Sequence, residues 1–148
     1  MSLKATILDD VKQAMRAGDK SRLKTLRLVT AAIKQREVDE RIELDDAQVL
    51  AILEKMIKQR RESAEAYRSG ARPELAASEE AEIEILQTYL PEPLSESELD
   101  AMIDQALAAT DAEGMAAMGP VMATLKAQAQ GRADMRDVSQ RVRARLQA

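Results

Sequence analysis

Apolar residues recur at three- and four-residue spacings along most of the chain, and that period predicts helices. A first helix over residues 2–17 places Leu3, Ile7, Leu8, Val11, Ala14 and Met15 on one face. Gly18 and Asp19 end it and cap the next. The second helix, over 20–41, has an inward stripe of Leu23, Leu26, Thr30 and Ile33. Asp45 caps a third helix that runs to Ser69, with Val49, Leu53, Met56, Ala64 and Tyr67 inward and Ile52 and Ile57 beside them. Gly70 lies just past its end. Pro73 suits the first turn of a fourth helix, which reaches Leu90 on Ala76, Ile83, Leu86 and Leu90.

Pro91 and Pro93 then stop and stiffen the chain. Ser95, with Glu98 three residues on, forms a capping box for a fifth helix to Ala109, carrying Leu99, Met102, Ile103, Ala106 and Leu107. A sixth helix spans 115–130 on Met118, Val121, Met122, Leu125 and Ala129, with Pro120 in its first turn. Gly131 ends it. Asp134 caps a seventh, carried by Val138, Val142 and Leu146. The expected fold is all-α: an N-terminal four-helix domain over residues 1–92 and a small C-terminal three-helix domain over 93–148.

Composition narrows the chemistry. Of 148 residues, 45% are hydrophobic and 32% charged, enough to bury a core. There are two Tyr and no Phe or Trp, so that core is aliphatic. There is no His and no Cys. Thiolate or imidazole metal sites, a Cys nucleophile, disulfides and the usual general base near neutral pH are therefore excluded. No Gly-rich phosphate loop and no Gly-x-Ser-x-Gly elbow occurs. No apolar run approaches the length of a membrane span, so no membrane partner is expected. The absence of an apolar leader gives the expectation of a cytoplasmic protein.

Net charge is −4, but it is unevenly spread. Residues 1–70 hold fifteen Lys and Arg against twelve Asp and Glu. Between Lys20 and Arg36 lie six cations and no anion. Four of them, Lys20, Lys24, Arg27 and Lys34, share one side of the second helix with Ala31 among them, the densest positive patch in the chain. They are candidate contacts to phosphates or to an acidic partner. Lys126, Arg132 and Arg136 are the C-terminal candidates. With too few aromatic rings for base stacking, any nucleic-acid binding is expected to use backbone phosphates and shape, as with structured RNA. Arg60 falls in the middle of an apolar stripe, where an unpaired guanidinium is costly. It is expected to pair with Glu79 or Glu82 across the third and fourth helices. No catalytic set, metal site or cofactor site is picked out by spacing.

Four ordered motifs resemble the YqeY-like family. They are Lys55-Met-Ile-Lys-Gln-Arg-Arg-Glu-Ser63, Glu79-Glu-Ala-Glu-Ile-Glu-Ile-Leu-Gln-Thr-Tyr-Leu-Pro-Glu-Pro-Leu94, Thr25-Leu-Arg-Leu-Val-Thr-Ala-Ala-Ile-Lys34, and Met118-Gly-Pro-Val-Met122 with Gly131-Arg-Ala-Asp134 and Val138. The C-terminal part, from about Ser95, is similar to the tail domain of the B subunit of the glutamine-dependent Asp/Glu-tRNA amidotransferase. The resemblance implies association with tRNA or with the enzymes that modify it, such as an amidotransferase or an aminoacyl-tRNA synthetase. Three readings follow. The first is a noncatalytic module holding RNA phosphates. The second is a protein-interaction adaptor docking through an apolar groove between the domains. The third is a carbon-nitrogen ligase of the amidotransferase type using glutamine as amide donor. The residues offer no catalytic constellation for the third.

Overall fold

Short polar side chains decide where most of the helices begin. In the computed structural model, which describes residues 1–148, α1 (Leu3–Ala17) starts where Ser2 Oγ accepts from the Ala5 N–H, and α2 (Lys20–Glu40) where the Asp19 carboxylate accepts from Arg22. α3 (Asp46–Ser69) opens with a complete capping box: Asp45 accepts from the Gln48 N–H, and the Gln48 side chain accepts from the Asp45 N–H. α4 (Pro73–Gln87) has no side-chain cap. Pro73 begins it, where a missing N–H is harmless. Ser95 caps α5 (Glu96–Ala108). α6 (Met118–Ala129) is entered through a 3₁₀ turn at Gly114–Ala117, with Pro120 in its first turn. Asp134 caps α7 (Met135–Leu146).

The chain divides into two compact units, Met1–Leu90 and Pro91–Ala148, each with its own core. The first core is built on Ile7 of α1, Leu26 and Val29 of α2, Val49 and Leu53 of α3 and Leu86 of α4, all fully buried. The second is built on Ile103 of α5, Val121 and Leu125 of α6, and Val138 and Val142 of α7. Each such aliphatic side chain contributes about 1.5–3 kcal/mol by leaving water. The boundary falls two residues earlier than the expected 92/93 division. Glu92 is held by the second unit, where its carbonyl accepts from Arg132 Nε at 2.9 Å.

Several local expectations need correction. Leu8 and Met15 are 44% and 54% exposed rather than inward. Leu8 directly follows the buried Ile7, and neighbours on a helix point about 100° apart. On α2 the fully enclosed residues are Thr25, Leu26, Val29 and Ile33, whereas Thr30 is only half-buried. α2 packs against α1, α3 and α4, which turns its inward arc toward Val29. α4 ends at Gln87, three residues short of Leu90, because Pro91 disfavours helical geometry just before it. The turn that replaces its last residues is pinned by Tyr89, whose hydroxyl donates to Asp10 Oδ2 at 2.5 Å. Burial first, and then this bond, raise the Tyr89 pKa above its ordinary value. The Ser95 box is only half formed: Ser95 accepts from the Glu98 N–H, while the Glu98 carboxylate turns to Arg132.

Candidate nucleic-acid interface

The outer face of α2 carries Lys20, Lys24, Arg27, Ala31 and Lys34, all exposed. At 1.5 Å per residue the row from Lys20 to Lys34 is about 21 Å long. A helix of 21 residues, packed along one side into the core, holds these cations at fixed intervals. The ion pairs of α2 lie elsewhere: Arg22 with Asp10 at 3.7 Å, Arg36 with Glu40 at 2.5 Å, and Glu37 with Lys4 of α1 at 2.7 Å. None reaches Lys20, Lys24, Arg27 or Lys34. The one side-chain contact among the four is Arg27 Nη2 against Met15 Sδ at 3.9 Å. Cations in a row that form no ion pair are what an anionic ligand would meet.

Beside the row, α1 and α2 enclose an open groove of about 480 Å³. Leu8, Ala31 and the edge of Ile33 make its apolar wall, Arg27 and Lys34 stand at its rim, and Thr30, Lys4 and Glu37 complete it. Both Glu37 carboxylate oxygens accept from Lys4 Nζ, at 2.9 and 2.7 Å, and Oε2 also accepts from the Leu44 N–H. These bonds, that of Lys4 first and that of Leu44 second, lower the Glu37 pKa and keep it ionised. The groove residues Lys4, Leu8, Thr30 and Glu37 were absent from the sequence-based candidates. One signal was available, since Ile7 and Leu8 point about 100° apart, so Leu8 sits at the edge of the inward arc that Ile7 centres.

The second unit treats its cations differently. Lys126 and Arg136 are exposed and neither side chain is in an ion pair, although the Arg136 backbone N–H donates to Asp134. Arg132 is held by the Glu92 carbonyl, with Glu98 at 3.8 Å. Arg141 of α7 meets Asp137 at 3.0 Å, Asp100 at 3.3 Å and Glu96 at 3.5 Å. Asp137 raises the Arg141 pKa most, burial opposes it, and Asp100 and Glu96 add smaller increases. Arg145 bonds Asp100 at 3.1 Å and also Asp104. The expected site residues of this unit are therefore not one patch: Arg132 is engaged, while Lys126 and Arg136 stand on different helices.

Arg60 is an internal pair. Its Nε donates to Glu82 Oε2 at 2.9 Å and its Nη1 to the Met56 carbonyl at 3.3 Å, with the two side chains 13% and 18% exposed. Glu79 takes no part. The guanidinium is thus engaged between α3 and α4 rather than presented to a ligand.

Comparison with known proteins agrees with the architecture. The family described as Yqey-like protein matches residues 4–146. The protein named "Altered inheritance of mitochondria protein 41, mitochondrial" from Pyrenophora tritici-repentis is 32% identical over 136 residues, 90% of this chain and 75% of that protein. Proteins of the same name from Vanderwaltozyma polyspora and Lachancea thermotolerans are 36% and 37% identical, over 66% and 70% of this chain. This chain spans only 55% and 57% of their lengths. Their names place these relatives in mitochondria, which overturns the cytoplasmic expectation. That expectation rested on the lack of an apolar segment. No helix is long and apolar enough to cross a membrane, but this property concerns bilayers and carries no information about compartment.

Proposed function

The chain belongs to the YqeY-like family, and on that premise we propose that it is a noncatalytic helical module that associates with tRNA, or with the enzymes that amidate it, by holding RNA phosphates on the outer face of α2. The observation that carries this reading is the unpaired row of Lys20, Lys24, Arg27 and Lys34 on one rigid helix. Phosphate contacts of this kind bind through counterion release and do not require base-specific chemistry. Lys126 and Arg136 are the C-terminal cations free to assist. Arg132 is not counted among the contacts, because its guanidinium already serves Glu92 and Glu98.

The test is binding of purified protein to total tRNA as salt is raised. Four phosphate contacts predict a log-log slope of about −3. The double variant Lys24→Glu/Arg27→Glu should lose about a hundredfold in affinity while its helical signal and melting temperature stay the same. Binding that ignores both salt and this reversal overturns the proposal. Turnover of glutamine with ATP by the pure chain overturns its noncatalytic part.

A further inference from the structure

A phosphate track needs no groove, yet one opens between two of its cations. Resting on the RNA reading above, we propose that the α1–α2 groove is a subsite for one unpaired nucleotide, its base against Leu8 and Ala31 and its flanking phosphates on Arg27 and Lys34.

The groove wall is the first reason. Leu8 is 44% exposed and Ala31 is exposed, so the wall is aliphatic and wet in the free protein. A paired stem presents phosphate and ribose and keeps its base faces stacked away. Only an unpaired nucleotide offers an apolar face to such a wall. Its volume lies within the range of about 300–1,000 Å³ found for small-molecule pockets.

The rim is the second reason. Arg27 and Lys34 are seven residues apart, about 10.5 Å along one helix face, with the small Ala31 between them. Phosphates on either side of a flipped-out nucleotide meet a cation at each lip. The Arg27 guanidinium is planar and can also stack on a base. A guanidinium and aliphatic carbons thus form a platform that a search for Phe and Trp does not see.

The far end is the third reason. Glu37 is ionised, and a carboxylate repels phosphate but accepts from the exocyclic amine of a base. Lys4 beside it offsets part of that repulsion. A continuous row of phosphates along the groove would run into Glu37, whereas a base edge would be received by it. An acidic peptide would meet the same repulsion, which favours a nucleotide as the occupant.

The experiment uses two RNA hairpins of identical stem, one blunt and one with a three-nucleotide unpaired 3′ extension, bound to the full chain at low salt. The extended hairpin should bind about tenfold tighter, the effect of roughly 55 Å² of apolar surface leaving water. Ala31→Leu fills the groove, adds no charge and keeps a good helix former on an exposed position. It should bring the two hairpins within about twofold and leave blunt-hairpin affinity and salt slope unchanged. Leu8→Ser, at a half-exposed site, should also reduce the preference. Equal binding of both hairpins by the unaltered chain overturns the subsite and leaves the RNA reading standing. An intact preference in both variants means that the groove is not its seat. If neither hairpin binds, or an acidic amphipathic peptide binds in their place, both proposals fall.

Discussion

One row of cations from each unit shows opposite treatment. In the first, α2 keeps Lys20, Lys24, Arg27 and Lys34 in solvent, none of them in an ion pair. In the second, Arg141 and Arg145 of α7 are each met by two or more carboxylates, most of them from α5. Net charge gives no hint of this. Both units are acidic overall, and the arginine-bearing α7 reads by composition as a phosphate-binding helix no less than α2 does. What separates a structural cation from a ligand-facing one is whether the fold supplies its counterion. An arginine already holding two carboxylates must break those bonds before it can take a phosphate.

The sharpest way to break this comparison is to exchange the two classes. Lys24→Glu/Arg27→Glu should cost about a hundredfold in tRNA affinity and leave melting unchanged. Arg60→Ala should do the reverse. It leaves Glu82 only 18% exposed and without its partner, at a cost of about 2 kcal/mol, below the fully buried case because both groups retain some solvent. Its tRNA affinity should match the unaltered chain, as read by thermal melting beside a binding isotherm. A third comparison is milder. Arg141→Gln/Arg145→Gln dismantles the α5–α7 ladder and should lower melting by less than Arg60→Ala, with the difference shrinking in high salt because these groups are nearer water. RNA affinity should again be unmoved. A large loss of tRNA binding here would show that paired cations also serve ligands, and the distinction would collapse.

The sequence made one class of cation readable and not the other, for a physical reason. Lys20, Lys24, Arg27 and Lys34 sit on one helix, so their shared face follows from the helical period alone. Caps at Asp19, Asp45, Ser95 and Asp134 are likewise local, and each helix start could be placed from them. The partners of Arg141 and Arg145 on α5 lie 41 to 45 residues away, a relation that only tertiary packing creates. The groove needed the same knowledge: Leu8 and Ala31 line one groove because α1 packs against α2. Treating every apolar residue of α1 as inward hid it, and Val29 rather than Thr30 entered the core that α2 shares with three other helices. The Arg60 pair was open to sequence reasoning because a lone cation in an apolar stripe demands an anion. The choice of Glu82 over Glu79 required the register of α3 on α4.

The smallest effect tests the comparison most closely, because one substitution turns a paired cation into a free one. Glu37→Gln removes the carboxylate that holds Lys4 and leaves Lys4 beside the free row with only the exposed Glu43, at 4.0 Å, as a counterion. Two readouts should move in opposite directions. Blunt-hairpin binding should gain up to one phosphate contact, steepening the salt slope by about 0.7 to 0.9. Stability should fall, and with a particular pH signature. The folded pKa of Glu37 lies below its usual 4.5, so its contribution is fully present above that value and is lost as pH falls through the lowered one. The gap in melting temperature between the unaltered chain and the variant should therefore be constant near neutrality and close in acid. A gap that persists in strong acid would mean that the substitution disturbs packing rather than removing an ion pair. A gap that closes while the salt slope stays flat would mean that freeing a cation is not enough, and that only a cation set in the α2 row counts as part of the RNA face.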